Sequence, residues 1–527
     1  MNNQSNSGIV TRKVEELPEH QNELGLQETI INLVMFSSGF IFASIIDVTK
    51  GFVINIYLAR LGPDSIAAGA LISTSQMMLM SVCCCSFATG IEVGKAIEVN
   101  VSTEVAIRSD FSEIALTSII FSGALSIPLV VICANMKPIF IAFGQDSTLS
   151  DITGTYYHGY TWGIPAIIML AFLQQFIIGH GEIQDAKLYF YSITLNTLFV
   201  SCLGYLLTFG AGDFPAYNIL GLGATSSIVA WANLIVLAAL VVRSERYNKS
   251  INIRSPRAWK QLSTNLLHYG IEGGAITVRV ASEVVSLFIS TLMISKMGDD
   301  SLEAEQIAIQ YMLLMIVPLF ALSQATTIMA SPYIALHDHQ NTTAITKAGS
   351  IIGGSLSAVI GIVYCSVPKQ LISFFIDVNQ NYNIYITARN LLYINSATQI
   401  PDALKNIICG VLNAMEDPYT PLIAGVGVNV GLSLALGYVL GFPAKLGAEG
   451  VFIARLLTTL MAMVILQRAF VRFDFNRPKT NGTALFSCRL WCTKSVSNNL
   501  EAPLINVVDS TVSPLQHPIV ERVANAL

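Results

Sequence analysis

Residues 61–68, Leu61-Gly62-Pro63-Asp64-Ser65-Ile66-Ala67-Ala68, return at residues 297–304 as Met297-Gly298-Asp299-Asp300-Ser301-Leu302-Glu303-Ala304, an offset of 236. The echo continues downstream. Leu203-Gly204-Tyr205-Leu206 returns as Leu436-Gly437-Tyr438-Val439 at an offset of 233, and Ile178-Gly179 as Cys409-Gly410 at 231. A repeat of this length is a duplicated structural unit rather than a short solenoid module.

The sequence around the repeat says what kind of unit it is. Of 527 residues, 53% are apolar and 12% charged, with a mean hydropathy of +0.59. Soluble domains carry about 25% charged residues, so an ordinary soluble protein is excluded. Apolar stretches long enough to cross a hydrocarbon core about 30 Å thick as helices recur at 28–58, 66–93, 110–134, 156–180, 188–209, 219–242, 264–296, 303–334, 346–373, 386–414, 420–442 and 448–473. The expectation is an all-α, multi-pass membrane protein whose twelve transmembrane helices form two pseudo-symmetric six-helix lobes.

Its parts are a disordered tail 1–27, an N-lobe 28–242, a basic linker 243–263, a C-lobe 264–473 and a polar tail 474–527. The linker holds Arg243, Arg246, Lys249, Arg254, Arg257 and Lys260, and the 210–221 connection has no Lys or Arg. The positive-inside rule places linker and both termini in the cytoplasm. Beside a membrane span such a basic run is a topology signal, so no nucleic-acid partner is expected. Six spans per half make the two lobes parallel repeats that rock about a central site.

Charges within spans need a reason, because each costs about 2.5–3.5 kcal/mol at the bilayer centre on insertion scales. Asp47 with Lys50, Glu283 with Arg279 and Asp402 with Lys405 stand at spacings of three or four residues, on one helix face each. Asp47 and Glu283 differ by 236, so both acids stand fourteen residues before their turns. Acids at equivalent positions of two rocking halves suit a coupling cation or proton. Glu92 and Arg455 lie nearer span ends, where snorkelling is cheap.

Other chemistry is sparse. Nine cysteines show no paired extracellular spacing, and Cys83-Cys84-Cys85 with Met77, Met78 and Met80 read as packing residues. His337-Asp338-His339 falls in a turn and is too compact for a metal site. Neither a phosphate-binding Gly loop nor a hydrolase or zinc-protease motif appears, so no ATP drive, metal, other cofactor or enzymatic activity is expected.

With these blocks in place, the chain resembles the multidrug and toxic compound extrusion (MATE) family of cation-coupled transporters over nearly all of 28–473. The resemblance rests on Leu61-Gly62 with Ile66-Ala67-Ala68, Gly179-His180-Gly181 before Asp185, Gly204 to Leu207, Phe209-Gly210, Phe214-Pro215 and Gly221 to Ala224. In the second half it rests on Ala304 to Ala308, Pro318, Gln324-Ala325, Asp402 with Gly410, Asp417 to Pro421, and Gly437-Tyr438 to Gly447-Ala448. It implies a V-shaped cleft and export of organic cations, drugs or metabolites in exchange for Na⁺ or H⁺, by a monomer in the cell (inner) membrane.

Position by position, the resemblance makes Glu283 the span-seven acid and Asp402 the span-ten acid. Arg279, Lys405, Lys50 and Gln306 are expected in the cleft or behind those acids. The chain departs from the pattern at Ile54, where the family has its first-span acid, near Gly204, where an Asn is missing, and at Glu305-Gln306-Ile307, which replaces His-Gln-Ile. Coupling is therefore expected in the C-lobe, with Asp47 the candidate substitute in the N-lobe. The alternative is a lipid-linked oligosaccharide flippase of the same wider superfamily, whose cleft would need several inward Arg residues; only Arg279 and Arg455 are available.

Overall fold

A computed structural model describes residues 25–99, 104–210, 215–244, 247, 256–378 and 380–473. The tails 1–24 and 474–527, and linker positions Arg246, Lys249 and Arg254, lie outside the described residues.

The first half runs α1 (Leu26–Leu61), α2 (Pro63–Cys83), α3 (Phe87–Val99), α4 (Glu104–Ala134), α5 (Met136–Ala142), α6 (Ser147–Tyr160), α7 (Ile164–Ile178), α8 (Ile183–Phe209) and α9 (Asn218–Arg243). The second runs α10 (Pro256–Ser295), α11 (Asp299–Ala335), α12 (His339–Ser366), α13 (Pro368–Ser373), α14 (Tyr382–Ala414), α15 (Tyr419–Ile423), a π-helical segment (Ala424–Leu432), α16 (Ser433–Gly441) and α17 (Gly447–Val471). Short 3₁₀ turns join α2 to α3 and α6 to α7, so each pair forms one span.

Among the described residues, eleven spans are both long and apolar enough to cross a membrane. The twelfth, α14, has 33 residues and so a length of about 50 Å. Arg389, Asn395, Gln399, Asp402, Lys405 and Asn406 make it less apolar than the rest. The expected ninth span, 346–373, ends earlier, at Ser366, because Pro368 starts the separate short helix α13. Large apolar side chains such as Phe42, Ile127, Ile235 and Ile362 face outward, as a lipid-facing surface allows.

The repeat is visible in the backbone itself. Gly62 (φ 125°, ψ 170°) and Gly298 (φ 116°, ψ 160°), equivalent at the offset of 236, adopt the same conformation before α2 and α11. A side chain at either position would be strained there. Helices α5 and α13 likewise start at equivalent positions, Met136 and Pro368. Gly179 and Gly410 serve the same packing role in each lobe: a Cβ on Gly179 would stand 2.8 Å from the Gly90 carbonyl oxygen, and one on Gly410 2.1 Å from Thr327 Oγ1.

The lobes pack together mainly in the half of the bundle that carries the linker. Leu33, Phe36 and Phe40 of α1 share a buried cluster with Leu322, Ala325 and Ile328 of α11 and Ile407 of α14. Ile91 of α3 joins Ile408, Leu412 and Phe470 from the other lobe. Toward the opposite end, a cluster around Leu58, Tyr156 and Leu222 comes from the first lobe apart from Tyr269 of α10, and another around Ile294, Ala304 and Val451 comes from the second alone.

Candidate functional site: a charged junction of α10 and α14

Three features of α14 bring its polar residues to a common place. Pro401 lacks an N–H, so the Ala397 carbonyl loses its ordinary helical partner just before Asp402. Asp402, Lys405 and Asn406 then follow at helical spacing on one buried face. Opposite them, the stem of Arg279 lies against the π-helical segment, where a Cβ on Gly425 would meet Arg279 Cγ at 2.8 Å. Only glycine lets that stem pass so close.

Glu283 Oε1 accepts from Arg279 Nη1 at 3.3 Å within α10 and from Lys405 Nζ at 3.2 Å across to α14. The same ammonium stands 2.8 Å from Asp402 Oδ1, and Asn406 Nδ2 donates to Asp402 Oδ2 at 3.1 Å. Lys405 is 2% exposed and Glu283 28%, so the ammonium is the hidden centre and Glu283 the accessible edge. Buried charges persist only when paired in this way. Glu283, Asp402, Arg279 and Lys405, named from sequence, thus form one network.

The other expected site residues stand apart from it. Asp47 pairs with Lys50 at 2.5 Å on an exposed face of α1, where the Asp47 side chain is 51% exposed. Gln306 is exposed, while its neighbour Glu305 points inward and accepts from Thr291 Oγ1 at 3.0 Å. Arg455 Nη1 lies against the Met312 sulfur. Asp338, in the His337-Asp338-His339 turn, caps α12 by accepting from Asn341 N at 3.0 Å.

A second cluster forms around Glu92, of which the sequence had pointed to that residue alone. Lys95 of α3 pairs with Glu92 at 3.0 Å and with Glu416, beyond α14, at 3.5 Å. His268 Nε2 of α10 lies 3.4 Å from Glu272 and 4.0 Å from Glu92. These contacts join the lobes at the linker end. Lys95 with Glu92 and His268 with Glu272 follow helical spacing, whereas Lys95 with Glu416 and His268 with Glu92 cross between the repeats and follow none. Asp185, from the Gly-His-Gly block, accepts from Tyr247 Oη at 2.5 Å, pinning the linker to the start of α8.

Between the lobes and beside Arg279 lies a cavity of about 40 Å³ lined by Phe87, Gln175, Arg279, Phe320, Gln324 and Asn406 among others. Gln175 and Asn406 are equivalent at the offset of 231, so both lobes present an amide to it. That equivalence was available in the sequence to anyone extending the Ile178-Gly179 match three residues upstream.

Two six-helix repeats, with a charged junction inside the second, define a polytopic membrane protein of the transporter type. The MatE family model matches residues 40–206 and 275–439, the two halves in register, and the chain belongs to that family. Among its relatives, a probable multidrug resistance protein NorM of Synechococcus sp. is 24% identical over 449 residues, covering 82% of this chain and 92% of that one. A second, from Mesorhizobium japonicum, is 26% identical over 408 residues, with 75% and 84% covered. Among solved structures, the eukaryotic MATE transporter AtDTX14 superposes with a TM-score of 0.74 at 14% identity, covering 86% of this chain and 97% of that one. A MOP superfamily transporter from Pyrococcus furiosus, described as having a binding pocket of reverse polarity, gives 0.73 at 13%, with 85% and 96% covered.

Proposed function

We propose that the protein is a secondary active efflux transporter that expels small organic molecules in exchange for Na⁺ or H⁺, with Glu283 and Asp402 as the coupling carboxylates. The observation that carries this reading is the single ammonium of Lys405 shared between them. A coupling cation or proton that takes Glu283 displaces Lys405 toward Asp402 alone, and so alters the link between α10 and α14. An ion can drive a conformational change only through such a difference in affinity between two states. Glu283 is the partner open enough to exchange.

The lobes are sealed on the linker side, and the Lys and Arg distribution assigns that side to the cytoplasm. The conformation then faces outward, as release of exported substrate requires. Single-cysteine labelling at Asn218 from outside, in a background without native cysteines, checks the orientation. The flippase alternative is not favoured: a multiply charged lipid head group needs more than one buried Arg beside its cavity, and Arg279 is the only charged residue lining this one.

The decisive experiment is substrate-dependent Na⁺ or H⁺ flux in proteoliposomes. Glu283→Gln and Asp402→Asn should abolish or strongly reduce ion-driven efflux while the purified proteins remain folded. Wild-type flux in both variants would remove these acids from the mechanism.

A further inference from the structure

The cavity beside Arg279 has a polarity of its own. Arg279 is its only charged lining residue, and neither Glu283 nor Asp402 reaches it. Arg279 is 5% exposed, and its Nη1 donates to Glu283 Oε1 and, at a long 3.5 Å, to Asn406 Oδ1. Its Nε is buried without a hydrogen-bond partner, as is Gln324 Nε2 across the cavity. Buried donors left unmade are costly and uncommon, so two around one space call for an acceptor-rich occupant.

Gln175, 6% exposed, adds a third unpartnered atom, Oε1. It is seated where a Cβ on Gly90 would approach it to 2.8 Å, so the missing side chain at Gly90 makes its room. This oxygen is left to accept from a hydroxyl or amide donor. The rest of the lining mixes aliphatic and polar residues with Phe87 of one lobe and Phe320 of the other, 5.5 Å apart between ring centroids.

The wider charge balance has the same sign. Arg279, Lys405 and Arg455, which lies within electrostatic reach of Asp402, outnumber Glu283 and Asp402. Glu305 does not reverse that balance. Its partner Thr291 stands eight residues beyond Glu283 on α10, roughly 12 Å along the helix.

We infer that this cavity receives the carboxylate of an amphipathic organic acid, with Arg279 and Gln324 as donors and the rest of the molecule lying between the lobes against Phe87 and Phe320. The inference rests on the efflux reading for its physiological meaning and changes the expected substrate class from organic cations to acids. A volume of 40 Å³ suits a head group and a few water molecules, not a whole ligand. Nη1 and Nε belong to different edges of the guanidinium, so the acid and Glu283 bind without displacing each other.

The test uses the purified full chain in detergent and two matched probes, sodium 3-phenyllactate and 3-phenylpropyltrimethylammonium chloride, with binding followed by thermal stabilisation. The acid should stabilise the protein in a saturable way and the cation should not. Gln324→Leu, which leaves the ion pairs intact, should weaken the acid about tenfold. Arg279→Met combined with Glu283→Gln, which removes the pair as a unit, should abolish its binding. Stabilisation by the cation alone, no effect of the acid, equal binding to Gln324→Leu, or an equal effect of sodium chloride would overturn the assignment; the last would make the site one for a simple anion. Flux of the same probes in proteoliposomes separates the two readings. Selective acid binding without ion-driven flux would leave the site standing and refute efflux, whereas ion-driven export of the cation alone would do the reverse.

Discussion

Lys405 of α14 donates to Glu283 of α10 at 3.2 Å, across 122 residues of sequence and while also holding Asp402. One buried ammonium therefore joins the first and fourth spans of the second lobe. Both carboxylates depend on it, and its removal tests the network as a unit.

Lys405→Met should destabilise the protein by about 3–5 kcal/mol, because it leaves buried carboxylates short of a partner. Adding Glu283→Gln should recover a large part of that loss. Thermal unfolding of the purified variants in one detergent gives the comparison. Wild-type stability of the single variant would show that Arg279 and Asn406 satisfy the acids without Lys405.

Asp47 stands at the position equivalent to Glu283 but has a different environment. Its pair with Lys50 lies within α1, and the carboxylate is half exposed. Asp47→Asn leaves the ion pairs around Lys405 untouched, so the purified variant should stay folded. The pH profile of efflux should stay that of the wild type. A flattened profile would bring Asp47 into coupling and make the first lobe an ion site too.

The fold was legible because hydropathy and the repeat are both local signals: a run of apolar residues, and a motif that recurs. The charged network was half legible. Asp402 with Lys405 and Glu283 with Arg279 follow from helical spacing, but the Lys405–Glu283 bond depends on how α10 meets α14. The register that matches Asp47 to Glu283 does not carry their surroundings over, since Lys50 has no counterpart in the second lobe, where Ser286 occupies the equivalent position. Of the linker-end cluster only Glu92 stood out in the sequence, because Lys95, His268 and Glu416 come from three separate elements. Gln306 was chosen by motif, yet Glu305 is the residue on the inward face.

Lys95 is the cation on which the linker-end seal depends. With Glu92 and Glu416 as its partners and Glu272 beside His268, Lys95→Met gathers acidic charge where the lobes meet. Hydrogen exchange should quicken in α3 and in the last turns of α14, while α5 and α13 at the other end stay as in the wild type. Unchanged protection in α3 would mean that the apolar clusters around Phe36 and Ile91 hold the seal without it.

Close helix packing gives the last expectation, and it carries its own control. A Cβ on Gly223 of α9 would stand 2.1 Å from the Tyr156 carbonyl oxygen of α6, a distance no side-chain rotation relieves, because the obstacle is backbone. On α10, a Cβ on Gly274 would meet nothing within 4 Å. Both glycines are helical, and alanine has the better helix propensity by about 1 kcal/mol. Gly274→Ala should therefore be neutral or stabilising. Gly223→Ala must push α6 and α9 apart and should lose about 1–3 kcal/mol or more through overpacking. Melting of the two variants side by side decides the matter: if Gly223→Ala melts with Gly274→Ala, the close approach of α6 and α9 is not a feature of the folded protein.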